Sequence, residues 1–209
     1  MARPPRESYA ERRARRAAVD DPGVVLDAGA RFLEARPRSV AEVRRRLSDA
    51  GYRAELVEGA IERLTALGYL DDEAFARSWV ESRDRARPRG ARALRDELRR
   101  KGVEAADVEA AIAARETAAV GAEGETPAAR SEGGSRAASP VSDEEAALRL
   151  LARRGGAIGR EPDPRKRRAK VYALLARNGF DPDVCSAVAA AWLAPDQDNV
   201  HIDANEPLT

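Results

Sequence analysis

GYLDDEAFARSWVESRDRARPRGARALRDELRRKG, residues 68–102, holds two helix patterns and the joint between them. Asp71 or Asp72 stands where a capping carboxylate accepts a backbone N–H. Phe75, Ala76, Trp79 and Val80 follow at the i, i+1, i+4, i+5 spacing of one helical face, whose polar side runs on through Arg83. Pro88 and Gly90 interrupt the pattern. Leu94 and Leu98 then open a second face four residues apart, and Gly102 sits where a left-handed C-terminal stop belongs. Two helices therefore meet at a strongly cationic corner.

Outward from this corner the composition stays the same. Of 209 residues 35% are charged and 4% aromatic, which describes a surface-rich helical protein without a thick core. Ala, Leu, Arg and Glu dominate while runs of Val, Ile, Tyr and Thr are missing, so the expected class is all-α. Cys185 is the one cysteine and has no intrachain partner, and neither a signal peptide nor a membrane-length apolar run is visible. A cytoplasmic monomer with no membrane contact is the expectation.

The apolar register repeats, which is the strongest signal that residues alone provide. Leu47, Gly51, Tyr52, Val57 and Ile61 match Leu98, Gly102, Val103, Val108 and Ile112, and then Leu175, Gly179, Phe180, Cys185 and Ala189. Val43, Leu94 and Val171 stand four residues before the leucines. The glycines lie 51 and 77 residues apart, and the excess in the second interval matches a Gly-, Ser- and Pro-rich stretch at about 115–141 that reads as a mobile insertion.

The expected organisation is thus a disordered basic arm (1–22), a helix preceding the repeats (23–37), three-helix repeat 1 (38–88), repeat 2 with its insertion (89–154), a partial repeat 3 (155–193) and a disordered acidic tail (194–209). Ser39–Glu42 and Ser142–Glu145 each have the form of a capping box, and Asp163-Pro164 and Asp181-Pro182 read as helix starts. Units of about 50 residues are small for independent stability, so they should pack end to end into an elongated array.

Gly68-Tyr69-Leu70-Asp71-Asp72, Phe75-Ala76, Arg83, Gly90, Leu94, Glu97-Leu98 and Lys101-Gly102 together resemble the central signature of the RecX family of recombination regulators. The resemblance extends over residues 24–193, through the Ser39–Leu47 element and through Lys170-Val171-Tyr172 with Gly179-Phe180. The insertion and the basic arm depart from it. What it implies is tandem three-helix repeats and a regulator that binds RecA, lies along the groove of its filament on DNA, and inhibits its activity in homologous recombination, DNA repair and the SOS response.

Net charge is +1, yet nine Lys or Arg face three acids across residues 83–101, and eight face two across 153–170. Arg83, Arg87, Arg89, Arg92, Arg95, Arg99, Arg100 and Lys101 form one candidate partner-binding patch. Arg165, Lys166, Arg167, Arg168 and Lys170 form a second, one repeat away. A charge run by itself leaves open whether it binds a partner or merely solvates a helix. No second His joins His201, no Cys pair exists, and no Gly-rich loop ends in Lys-Ser or Lys-Thr, so neither metal, phosphate cofactor nor enzymatic chemistry is expected.

Three readings follow from the residues: a regulator of a protein filament, a stand-alone helical DNA-binding module, and a helical scaffold. A helix-turn-helix reader needs a recognition helix that offers Asn, Gln, Ser and Arg to base edges, and none of these helices does. A scaffold leaves both basic patches unexplained. The resemblance favours RecA and the RecA–DNA filament as partners, with weak non-specific binding to DNA as an accompanying expectation.

Overall fold

The computed structural model describes residues 7–122 and 142–192, and every regular element among them is a helix. In order these are α1 (Tyr9–Ala17), α2 (Pro22–Glu34), α3 (Val40–Ala50), α4 (Ala54–Ala66), α5 (Asp72–Ala86), α6 (Ala91–Arg100), α7 (Ala105–Ala122), α8 (Asp143–Arg154), the single turn α9 (Gly156–Gly159), α10 (Pro164–Arg177) and α11 (Pro182–Ala191). None of them is long and apolar enough to cross a membrane.

The caps explain where the helices start. Ser39 accepts from the Glu42 N–H while Glu42 accepts from the Ser39 N–H, a reciprocal box that satisfies two orphan donors. Asp71 caps α5 through the Ala74 N–H. At α8 the box closes in one direction, with the Ser142 hydroxyl accepting from the Glu145 N–H.

Three cores result. Val25, Val43, Leu47, Val57, Ile61 and Leu64 pack α2 with α3 and α4. Phe75, Val80, Leu94, Leu98, Val108 and Ile112 pack α5 with α6 and α7. Leu150, Leu151, Val171, Leu175, Phe180 and Cys185 pack α8 with α10 and α11. The registered positions Val43, Leu94 and Val171 are completely buried, as are Leu98 and Leu175. Each fully buried aliphatic side chain of this kind contributes ~1.5–3 kcal/mol from lost apolar surface.

The cores correct the expected boundaries by one helix. The helix assigned to 23–37 does not precede the repeats but is the first helix of unit one, and α5, placed at the end of repeat 1 (38–88), opens unit two. Likewise α8, placed in repeat 2 (89–154), opens unit three. The apolar register was right, but a periodic sequence does not reveal which three consecutive helices share a core. Two further expectations change. The arm assigned to 1–22 contains α1, which has a Ser8–Glu11 capping box and no buried residue. The insertion assigned to 115–141 begins too early, since α7 runs to Ala122 and Arg115 within it is buried. Residues 123–141 and the tail at 194–209 lie outside the described residues.

The units dock in a repeated way. The Val40 N–H at the start of α3 donates to Asp72 Oδ1 of unit two at 2.9 Å. The Ala91 N–H at the start of α6 donates to Asp143 of unit three at 3.1 and 3.2 Å. Ser39 Oγ donates to the Lys101 carbonyl oxygen at 2.6 Å, and the Gly90 N–H donates to the Asn178 carbonyl oxygen at 3.1 Å. The C-terminal end of each second helix thus abuts the N-terminal end of the preceding one, and α10, α6 and α3 form a file. Such contacts set carbonyl-rich ends against N–H-rich ends, the favourable sense of the helix dipole.

A glycine after each second helix closes the contact, and at the second joint Gly90 is pressed against Gly179 as well. A Cβ on Gly102 would overlap Ala41 and one on Gly179 would overlap Ala93. Over Gly51, the equivalent of both, lies Arg13 of α1, and Tyr9 Oη and Arg13 each donate to the Asp49 carbonyl oxygen at 3.2 Å. α1 therefore occupies the seat that a preceding unit would take.

Candidate interaction surface

The cationic corner read from residues 83–101 is largely tied to the protein's own acceptors. Glu97 is its hub: Oε2 accepts from Trp79 Nε1 at 2.9 Å and from Arg83 Nε at 2.6 Å, and Oε1 lies 3.8 Å from Arg89 Nε. Arg83 and Lys101 both lie over the Trp79 ring, at 4.3 and 4.2 Å from its centre, and Lys101 also bonds Glu42 across the junction at 3.1 Å. Trp79 is thereby fixed at the rim of its core.

Several other candidates also have intramolecular partners. Arg89 donates to Asn178 Oδ1 at 3.0 Å and Arg92 to the Ala176 carbonyl oxygen at 3.1 Å, both across the joint between units two and three. Arg95 pairs with Glu109 at 2.9 Å, and Arg99 lies 3.6 Å from the same carboxylate. Arg44 and Glu58 form the equivalent pair in unit one, at 2.8 Å, so this bridge belongs to the repeat. Arg167 donates to the Glu161 carbonyl oxygen at 2.9 Å, and Lys170 pairs with the Glu161 carboxylate. The side chains of Arg87, Arg100, Arg165, Lys166 and Arg168 are exposed.

The two patches lie on one file of helices, with Arg165, Lys166 and Arg168 at the start of α10, and Arg99 and Arg100 at the end of α6. α6 and α10 are the second helices of adjacent docked units. Because the end of α10 meets the start of α6, the start of α10 and the end of α6 lie at opposite ends of this two-helix file, and the exposed cations are spaced along it.

The most buried charges escaped sequence reasoning. Arg115 holds Asp84 through two hydrogen bonds at 2.9 and 3.0 Å and reaches Asp143 of unit three, joining the units through a triad. Burial pushes the Asp84 carboxyl up, against the pull of Arg115. The Gly and Ser residues that follow Arg115 draw it, in the sequence, toward the insertion. Its distance of one helical turn from Ile112 was the signal that could have kept it in α7.

The first junction carries two carboxyls with opposite tendencies. Burial works against ionisation of Glu42, but Lys101, the Ser39 N–H and Arg36 outweigh it and hold the group below its usual range. Burial raises Asp72, and Asp107, Asp71 and Glu104 add to that against the Val40 N–H.

Comparison with known proteins follows the same three cores. Family models described as the first, second and third three-helix domains of RecX match residues 26–64, 71–112 and 142–188. The regulatory protein RecX of Streptomyces lividans is 33% identical over 177 residues, covering 82% of this chain and 79% of that protein. The chain belongs to the RecX family. RecX of Mycolicibacterium vanbaalenii is 42% identical over a shorter stretch of 83 residues, in which the chain spans 45% of that relative's length. A crystal structure of RecX from Lactobacillus salivarius shares the fold, with a TM-score of 0.64 at 17% identity over 82% of this chain and 96% of that one. RecX proteins are named as regulatory proteins, and the helical repeat described above is their architecture.

Proposed function

We propose that this chain binds RecA and the RecA–DNA filament and inhibits RecA activity in recombination and DNA repair. Membership of a family of regulatory proteins makes RecA the partner to consider. The observation that carries the reading is the file of second helices, which sets the exposed cations of α10 and α6 in successive units docked by one repeated contact. An elongated, negatively charged nucleoprotein filament presents the matching partner, because its charge also repeats along a line.

The test compares RecA-catalysed ATP hydrolysis on single-stranded DNA in the presence of wild type and of an Arg100→Glu, Arg165→Glu, Arg168→Glu variant. These side chains are exposed and remote from the three cores, so circular dichroism should report unchanged helicity. Wild type should slow hydrolysis, and the variant should need about tenfold more protein to do so, since attraction becomes repulsion. A wild type that neither slows hydrolysis nor sediments with filaments refutes the regulator; a variant as potent as wild type refutes the patch.

A further inference from the structure

Between the end of α5 and the end of α8, at the joint of units two and three, lies a cleft of about 230 Å³. Arg87, Arg89, Arg153 and Arg154 line it, Pro88 and Leu150 provide apolar walls, and no carboxylate is among its lining residues. Two of the arginines are held in place. Arg153 donates to the Ala86 and Arg85 carbonyl oxygens, both at 2.9 Å, which also occupies the acceptors at the end of α5 that would repel an anion. Arg89 is fixed by Asn178, itself buried and anchored to the Leu174 carbonyl oxygen at 2.7 Å. Arg87 and Arg154 are exposed and make no side-chain hydrogen bond or ion pair among the described residues, so their donor sets are unused.

Of the four only Arg89 has a carboxylate within 4 Å, Glu97 at 3.8 Å; the other three are like charges that repel one another, and an incoming anion relieves that repulsion. Guanidinium groups match phosphate and carboxylate oxygens as forks. Each phosphodiester, like a carboxylate, offers two such oxygens, but a strand carries its phosphates at a fixed short spacing along one backbone, so a single ligand serves several guanidinium groups. The apolar walls suit the sugar edge between them.

We propose that this cleft binds the phosphodiester backbone of a nucleic-acid strand. Arg87 and Arg154 contact the phosphates, and Arg89 and Arg153 set the positive floor beneath them. The proposal rests on the reading that the partner filament carries DNA. Its consequence is that the strand is gripped at the joint of two units, so their docking and the grip depend on each other.

Fluorescence anisotropy of a labelled oligothymidylate, with the full chain and without RecA, tests it. Arg87→Gln with Arg154→Gln is compared with Arg45→Gln with Arg63→Gln, which removes the same charge from exposed positions of unit one. The cleft variant should bind about tenfold more weakly, and the slope of log affinity against log salt should shrink by ~1.4, or ~0.7 for each of two lost phosphate contacts. The control should lose less than about threefold. Equal losses in both variants, or none, overturn the cleft. Displacement of the strand by polyglutamate at equal charge assigns it to an acidic protein surface, and displacement by inorganic phosphate at equal phosphate assigns it to a small anion; either overturns the proposal. Because RecA is absent, failure here leaves the hydrolysis result standing, and failure there leaves this one standing.

Discussion

Asp84 and Arg115 meet as a bidentate ion pair, Nε to Oδ2 at 3.0 Å and Nη2 to Oδ1 at 2.9 Å, with both side chains removed from water. Arg115 also reaches Asp143, so one guanidinium serves two carboxylates from two units. Arg115→Ala should therefore cost about 3–5 kcal/mol in urea denaturation, the usual penalty for stranding a buried charge. Replacing both members, Arg115→Met with Asp84→Leu, should cost less than Arg115→Ala. A double variant as damaged as the single one would show that the pair does more than neutralise buried charge.

Gly68 and Gly179 both have positive φ, +74° and +82°, but open space surrounds Gly68 whereas Gly179 is pressed against Ala93 of unit two. Gly68→Ala should cost only the left-handed backbone term, about 1–2 kcal/mol. Gly179→Ala should cost a further ~1–3 kcal/mol, because the added methyl forces two units apart. Equal losses in thermal unfolding would mean that the unit contact is soft.

Leu98 is fully buried at the registered position of unit two. Leu98→Ala should lower stability by about 2–5 kcal/mol in chemical denaturation. A loss below about 0.5 kcal/mol, typical of exposed sites, would contradict its place in the core.

Asp72 has a folded-state pKa above its usual range, so between the unfolded and folded values the folded chain binds more protons than the unfolded one. Stability from this group accordingly falls as pH rises through that window and stays lower above it. Asp72→Asn keeps an oxygen for the Val40 N–H and removes the charge. The variant should gain on wild type as pH rises out of the carboxylate range, by less than about 1 kcal/mol at neutral pH, which denaturation midpoints across pH would measure. Glu42, held below its usual range, acts in the opposite sense in both proteins: its contribution is present above the unfolded value and lost as pH falls. A variant less stable than wild type at neutral pH would mean that the Asp72 charge favours the start of α3 more than its acidic neighbours oppose it.

Residues with a period were legible in the sequence: Leu47, Leu98 and Leu175, with the glycines after them, lie where the apolar register put them. The partition into units was not, because α2 and α5 are both amphipathic neighbours of α3 and α4, and only packing selects α2. For the cationic surface, charge counting found Arg83 and Lys101 but not the carboxylates that hold them. Glu97 lies on a different helix from Arg83, 14 residues further on, and Glu42 is 59 residues from Lys101. Arg153 and Arg154 were visible as charges, but the joint that turns them toward Arg87 is a contact between units, which local pattern does not encode.

The seating of α1 over Gly51 gives the molecule a polarity. One end of the file is shut by a helix that buries none of its own residues, whereas the other ends on α10 with no equivalent helix before its first turn among the described residues. A further three-helix unit set ahead of unit one would have to evict α1, whereas among the described residues no helix is seated in this way before α10, so growth of the file is not equivalent at its two ends.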